Sequence, residues 1–247
     1  MALVFGMGVV FYLLGPLIGS LSRFTRAEVP ASALMFVCPG IAAALLVHRG
    51  GGSLRRWLAA ALRLPGAAQA AWYVPIVLLA PAILVVSYLV MRWIGLPLPA
   101  EPRIPWLAAP LLAVVYLVPA FCEELGWTAY ATDPLLRRWG VLGTGVAIGT
   151  VWGLWHVVPY WQGGHDGRWI AGQVLFTVGF RVILVWLYAR TGATIAAVVA
   201  HAAYNVAWSL FPNDGSHYDP VVTGLVTAAV AALVVVPWGR VRSSGQR

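Results

Sequence analysis

An all-α bundle of about eight membrane-crossing helices around a central polar site is the fold this sequence predicts, on three observations. Of its 247 residues 61% are hydrophobic and 10% charged, with a mean hydropathy of +0.82; a soluble domain carries roughly 25% charged residues. The apolar residues fall into runs of about 20, the length a helix needs to cross a bilayer. Turn formers collect at the joints between runs, at Arg49-Gly-Gly-Gly52, Gly95-Leu-Pro97, Gly163-Gly164, Arg190-Thr-Gly192 and Pro212-Asn213.

The runs are 2–21, 31–48, 72–95, 106–131, 141–161, 169–189, 193–212 and 219–238. The first has no basic flank and no small-residue cleavage site before Leu21, so it reads as a retained span. The connection 49–71 contains Ser53-Leu-Arg-Arg-Trp-Leu58, continuing to Leu64. At 100° per residue Leu54, Trp57, Leu58, Ala61 and Leu62 share one face, with Arg56 and Arg63 opposite, which predicts a short helix in the headgroup plane. No connection can hold a soluble domain and no internal repeat is visible, so residues 1–247 read as one integral-membrane domain. Cys38 and Cys122 lie in separate apolar runs, as buried thiols rather than a disulfide framework.

All sixteen basic residues are arginine, against eight carboxylates, giving a net charge of +8. The charges sit in the connections and the tail, which argues against a nucleic-acid partner and for a bilayer with a charge-biased inner leaflet. Ten arginines (49, 55, 56, 63, 137, 138, 190, 240, 242, 247) fall in the even-numbered connections and the C-terminal tail, and five (23, 26, 92, 103, 168) on the other side. That asymmetry predicts a multi-pass protein of the cell membrane with both termini cytoplasmic.

Four chemically active side chains interrupt this hydrocarbon. Glu123 and Glu124 are adjacent within LVPAFCEELGWTAY; His156 lies in TVWGLWHVV, His201 in VVAHAAYNV with Asn205 four residues on. A charged side chain at the bilayer centre costs roughly 2.5–3.5 kcal/mol, so such groups face a polar cavity and serve a purpose. Adjacent glutamates point about 100° apart, so one can face a cavity while the other turns into the packing. Trp152 and His156, like His201 and Asn205, share a face one turn apart. A buried carboxylate can act as a general base, one imidazole can hold a water against it, and a second imidazole with an amide can donate to an oxyanion. The same Glu/His/His set, Glu123, His156 and His201, would also satisfy zinc. Arg181, in FTVGFRVILVWLYAR, is the one basic residue in the middle of a run. It needs a partner, and Glu123 and Glu124 are the only carboxylates at that depth.

Glu123-Glu124-Leu-Gly-Trp-Thr-Ala-Tyr130, Trp152-Gly-Leu-Trp-His156, Leu187-Tyr-Ala-Arg-Thr-Gly192 and His201-Ala-Ala-Tyr-Asn205 resemble, in order and spacing, the motifs of the CAAX-protease and bacteriocin-processing (CPBP, or ABI) family. These are intramembrane glutamic proteases related to the eukaryotic CAAX prenyl endopeptidase. The motifs lie within roughly 119–212 and imply a core of about 106–212; the first three spans match only in being apolar. The resemblance implies a hydrolase in which Glu123 activates water, Glu124 supports the site, His156 holds the water, and His201 and Asn205 stabilise the oxyanion. It implies no cofactor, although an older reading makes some of these residues metal ligands, so zinc stays open. One position departs: the family's arginine, four residues after the second glutamate, is Thr128 here, and the second motif's aromatic is Trp152 rather than Phe. Arg181, reaching across from the sixth span to Glu124, is the expected substitute. The leading expectation is an endopeptidase acting on a membrane-associated peptide or protein. A catalytically impaired relative acting in membrane binding or immunity, and a proton-coupled transporter using Glu123 and His156, are the alternatives.

Overall fold

The computed structural model describes residues 1–19, 30–212 and 215–242, with side chains of the last helix given up to Val235. Ser20, Leu21, Arg23, Arg26, Asn213 and Arg247, used above to place joints, span ends and charge, lie outside the described residues, as do the side chains of Arg240 and Arg242.

The chain forms ten α-helices among the described residues: α1 (Ala2–Ile18), α2 (Val37–Arg49, entered from a 3₁₀ turn at Ala31–Phe36), α3 (Leu54–Ala61), α4 (Tyr73–Trp93), α5 (Ala109–Trp127), α6 (Thr132–Trp155), α7 (Val157–Gln162), α8 (Gly167–Thr191), α9 (Thr194–Ser209) and α10 (Pro220–Arg242). No strand is present among them, and each of the eight apolar runs contains a helix. Five helical segments, 31–49, 67–93, 106–127, 132–162 and 167–191, are long and apolar enough to cross a membrane, while α1 and residues 220–235 form shorter apolar helices. The chain is a polytopic helical membrane protein. The predicted in-plane helix is α3, with the Ser53 hydroxyl capping it by accepting from the Arg56 amide.

Two boundaries differ from the sequence expectation. The stretch 132–139, read as a connection, is helical; Gly140, with φ 65° and ψ −172°, breaks it from the rest of α6. The run 141–161 is not one helix, because α6 ends at Trp155 and α7 begins at Val157, leaving His156 at the break. Pro159 supplies the cause. It has no N–H to give the carbonyl of Trp155, four residues earlier, and that carbonyl instead accepts from the Tyr12 hydroxyl at 2.7 Å.

The most buried of the five long segments is α8, which packs chiefly against α6 and α10. Small residues allow this. A methyl on Gly145, Gly149 or Gly153 of α6 would lie 2.5 Å from Val182 Cα, 2.8 Å from Val178 Cα and 3.2 Å from Val174 Cγ1 of α8. This small-xxx-small stripe lets two backbones approach where lipid supplies no hydrophobic drive. The Gly149 contact fixes the site as well, because its added methyl would also lie 3.0 Å from Arg181 Cβ. Gly149→Leu is therefore expected to lower stability by about 1–3 kcal/mol or more through overpacking. Gly167→Ala, whose methyl meets nothing within 4 Å, should be nearly neutral when both are compared by thermal unfolding in detergent.

Candidate active site

Four helices and the break after one of them bring the polar residues together. Glu123 and Glu124 lie near the end of α5, Trp152 and His156 at the end of α6, Arg181 in the middle of α8, and His201 two turns into α9. Glu124 and Arg181 have no exposed surface, His201 is 4% exposed and Glu123 6%.

Glu124 is saturated. Arg181 grips it in bidentate fashion, Nη1 to Oε2 at 2.6 Å and Nη2 to Oε1 at 2.8 Å. His201 Nδ1 donates to Oε1 at 3.0 Å, and the Thr128 hydroxyl donates to Oε2. Two donors per oxygen fill about all the lone-pair sites a carboxylate offers. The expected pairing is what the structure shows: the Arg181 guanidinium reaches Glu124 from α8. Arg181 Nη1 also lies 3.4 Å from the Thr128 hydroxyl, so the small side chain leaves room for the arriving group. Of the guanidinium nitrogens only Nε lacks a partner.

Glu123 is the opposite case. Its Oε2 accepts from Trp152 Nε1 at 2.6 Å, and its Oε1 has no hydrogen bond to any described residue. It is the carboxylate with a free acceptor.

Trp152 is the hub of the site. Its indole N–H holds Glu123, its carbonyl accepts from His156 Nδ1 at 2.9 Å, its ring lies 4.2 Å beneath the Arg181 guanidinium carbon, and it meets the His201 ring edge-on at 5.1 Å. A carbonyl can only accept, so His156 carries its proton on Nδ1 and, when neutral, presents Nε2 as a lone pair. The same reasoning applies to His201, whose Nδ1 faces a carboxylate; its Nε2 donates only when the ring is imidazolium. The His156 ring is held further by stacking on Tyr160, with centroids 5.5 Å apart, and by the edge of Trp155 at 4.9 Å.

Asn205 is half-buried, one turn past His201 on α9, and makes no hydrogen bond to Glu123, Glu124, His156 or His201. Among the described residues no three His, Cys, Asp or Glu side chains are grouped to hold a metal ion. Glu123, His156 and His201 thus form no ready donor set in this arrangement. Cys38 and Cys122 are both free thiols.

Sequence reasoning passed over two supports. One is the glycine stripe of α6, legible as three glycines four residues apart. The other is a buried tyrosine–amide cluster beside the site: Gln173 donates to the Tyr204 hydroxyl at 3.1 Å and accepts from Tyr218 at 3.0 Å. No spacing signal joins its three distant members.

Residues 105–207 match the family model described as type II CAAX prenyl endopeptidase Rce1-like. No curated protein matches the chain.

Proposed function

We propose, from the match of residues 105–207 to the Rce1-like type II CAAX prenyl endopeptidases, a protease family of the CPBP class, that the chain hydrolyses a peptide bond of a membrane-associated peptide or protein with water activated by Glu123. The observation that carries this reading is the division of labour between the glutamates. Glu124 is consumed by Arg181, His201 and Thr128, while Glu123 keeps Oε1 available and is tied through Trp152 to the fixed His156 ring.

In this reading Glu123 Oε1 takes a proton from a water whose other hydrogen is accepted by His156 Nε2. The water oxygen adds to the scissile carbonyl, and the proton passes to the leaving amine. Asn205 offers an amide N–H to the developing oxyanion, and His201, anchored by Glu124, adds a second donor when protonated. Neither donor needs a metal. Purified protein is expected to keep its activity through chelation and to hold no stoichiometric zinc by elemental analysis. One zinc per chain, lost with activity and restored with it, would move the mechanism to the metal class.

Arg181 answers the one departure that favoured a catalytically impaired relative, because Glu124 has its arginine after all. The arginine asymmetry supports a cell-membrane protein with both termini cytoplasmic, and a site opening to the cytoplasm. His201, seven residues into α9, would then lie roughly 10 Å from the inner end at 1.5 Å per residue.

The test is a comparison of membrane-peptide fragments between cells carrying the wild type and cells carrying Glu123→Gln. New termini that appear only with the wild type identify the substrate; identical fragment sets reject the protease reading. Trp152→Phe sharpens the assignment. It keeps an aromatic ring against Arg181 and His201 but removes the donor to Glu123. A hydrogen bond to a charged group is worth about 1.5–3 kcal/mol, so cleavage is expected to fall by about 10- to 100-fold, with a drop in unfolding temperature because both side chains are buried.

A further inference from the structure

One end of the bundle is built almost wholly of arginine. Arg49 closes α2, Arg55 and Arg56 lie in α3, Arg63 follows it, Arg137 and Arg138 precede the break in α6, and Arg190 lies in the last turn of α8; all seven are exposed. Two contacts place these segments at the same end. Arg190 stacks over the Trp72 ring at 4.7 Å, joining the end of α8 to the start of α4, and the Tyr188 hydroxyl donates to Asp133 at 2.9 Å, joining it to the start of α6. Carboxylates are nearly missing here. From residue 31 to residue 100 there is no Asp or Glu, and Asp133 is the one exposed carboxylate at this end among the described residues. The other end is mixed: Arg168 pairs with Asp219 at 3.1 Å, with Asp166 and Glu101 also exposed.

Three strips on α3 give this end its orientation. Ala61 is buried and Trp57 half-buried where α3 packs on α2 and α9. Beside them Leu54, Leu58 and Leu62 are exposed, uncovered by protein. Arg56 and Arg63 project from the far side, at 100° per residue. One strip meets protein, one suits hydrocarbon and one suits an anionic plane.

We propose that this end is a binding surface for anionic phospholipid headgroups, with α3 lying in the headgroup layer and Arg55, Arg56 and Arg63 engaging the phosphates. A strip of exposed leucine beside exposed arginine fits an amphiphile that presents both an acyl layer and an anion. An acidic peptide would leave the leucines in water. The surface is independent of the proposed active site, so its failure would leave the protease reading standing.

The test is spin-labelled lipid competition on the full chain in phosphatidylcholine nanodiscs. Labelled phosphatidylglycerol should be preferred over labelled phosphatidylcholine by at least about fivefold at low salt, the effect of one guanidinium at an anionic surface. The preference should shrink as salt screens it. The triple variant Arg55→Gln/Arg56→Gln/Arg63→Gln should bring the ratio close to one, while Arg92→Gln, outside this arginine cluster, should leave it unchanged. No preference in the wild type, full preference in the triple variant, or loss of preference in Arg92→Gln would overturn the proposal. So would displacement of the labelled phosphatidylglycerol by a soluble polyglutamate peptide, which would assign the surface to an acidic protein partner.

Discussion

Glu123→Gln should slow peptide hydrolysis by at least about 10²-fold, the scale of a lost general base, in a protein that still inserts and unfolds at its usual temperature. Glutamine keeps the shape of the side chain, and its amide oxygen can still accept from Trp152 Nε1. What it lacks is a lone pair basic enough to take a proton from water. Glu124→Gln should behave differently. Its amide NH₂ would confront a donor from Arg181 together with one from His201 at the Oε1 position or from Thr128 at the Oε2 position, so that variant loses stability along with activity. A Glu123→Gln enzyme at wild-type rate, beside a stable but inactive Glu124→Gln enzyme, would reverse the two assignments.

Arg181→Leu should be among the most destabilising single changes in the chain. It removes the bidentate partner of a carboxylate with no exposed surface, and breaking a buried pair costs about 3–5 kcal/mol because the remaining charge stays in low dielectric. Arg168→Leu offers the comparison: its arginine is 69% exposed in the pair with Asp219, and exposed pairs contribute about 0–1 kcal/mol. The first variant should unfold far below the wild type in detergent and the second close to it. Equal small effects would mean that Glu124 is held by Thr128 and His201 alone.

Much of this site was legible because hydrocarbon punishes unpaired charge. Two glutamates and one arginine at mid-run narrow the partner of Arg181 to Glu123 or Glu124, and the family resemblance picks Glu124, the glutamate its motif arginine serves. Thr128 pointed the same way, since it vacates the place from which an arginine on α5 itself would serve. The helix break at His156 was not read, although Pro159 marks it: hydropathy counts proline as one more residue of an apolar run and does not register its missing N–H. The helix at 132–139 escaped for the converse reason, since Asp133, Arg137 and Arg138 make it too polar for a span. The role of Trp152 could not be read at all. Spacing placed it one turn from His156, but its hydrogen bond to Glu123 joins residues 29 positions apart and exists only once α5 and α6 are docked.

An arginine delivered from α8 holds Glu124 in place of one delivered from position 128, just past the end of α5. The most direct test adds Thr128→Arg to Arg181→Leu and follows unfolding temperature and substrate cleavage together. Thr128 sits one turn from Glu124 and its hydroxyl already bonds that carboxylate, so an arginine there can reach it once the space beside it is vacated. The double variant is expected to recover a substantial part of both quantities lost in Arg181→Leu. A double variant no more stable and no more active than Arg181→Leu alone would contradict it.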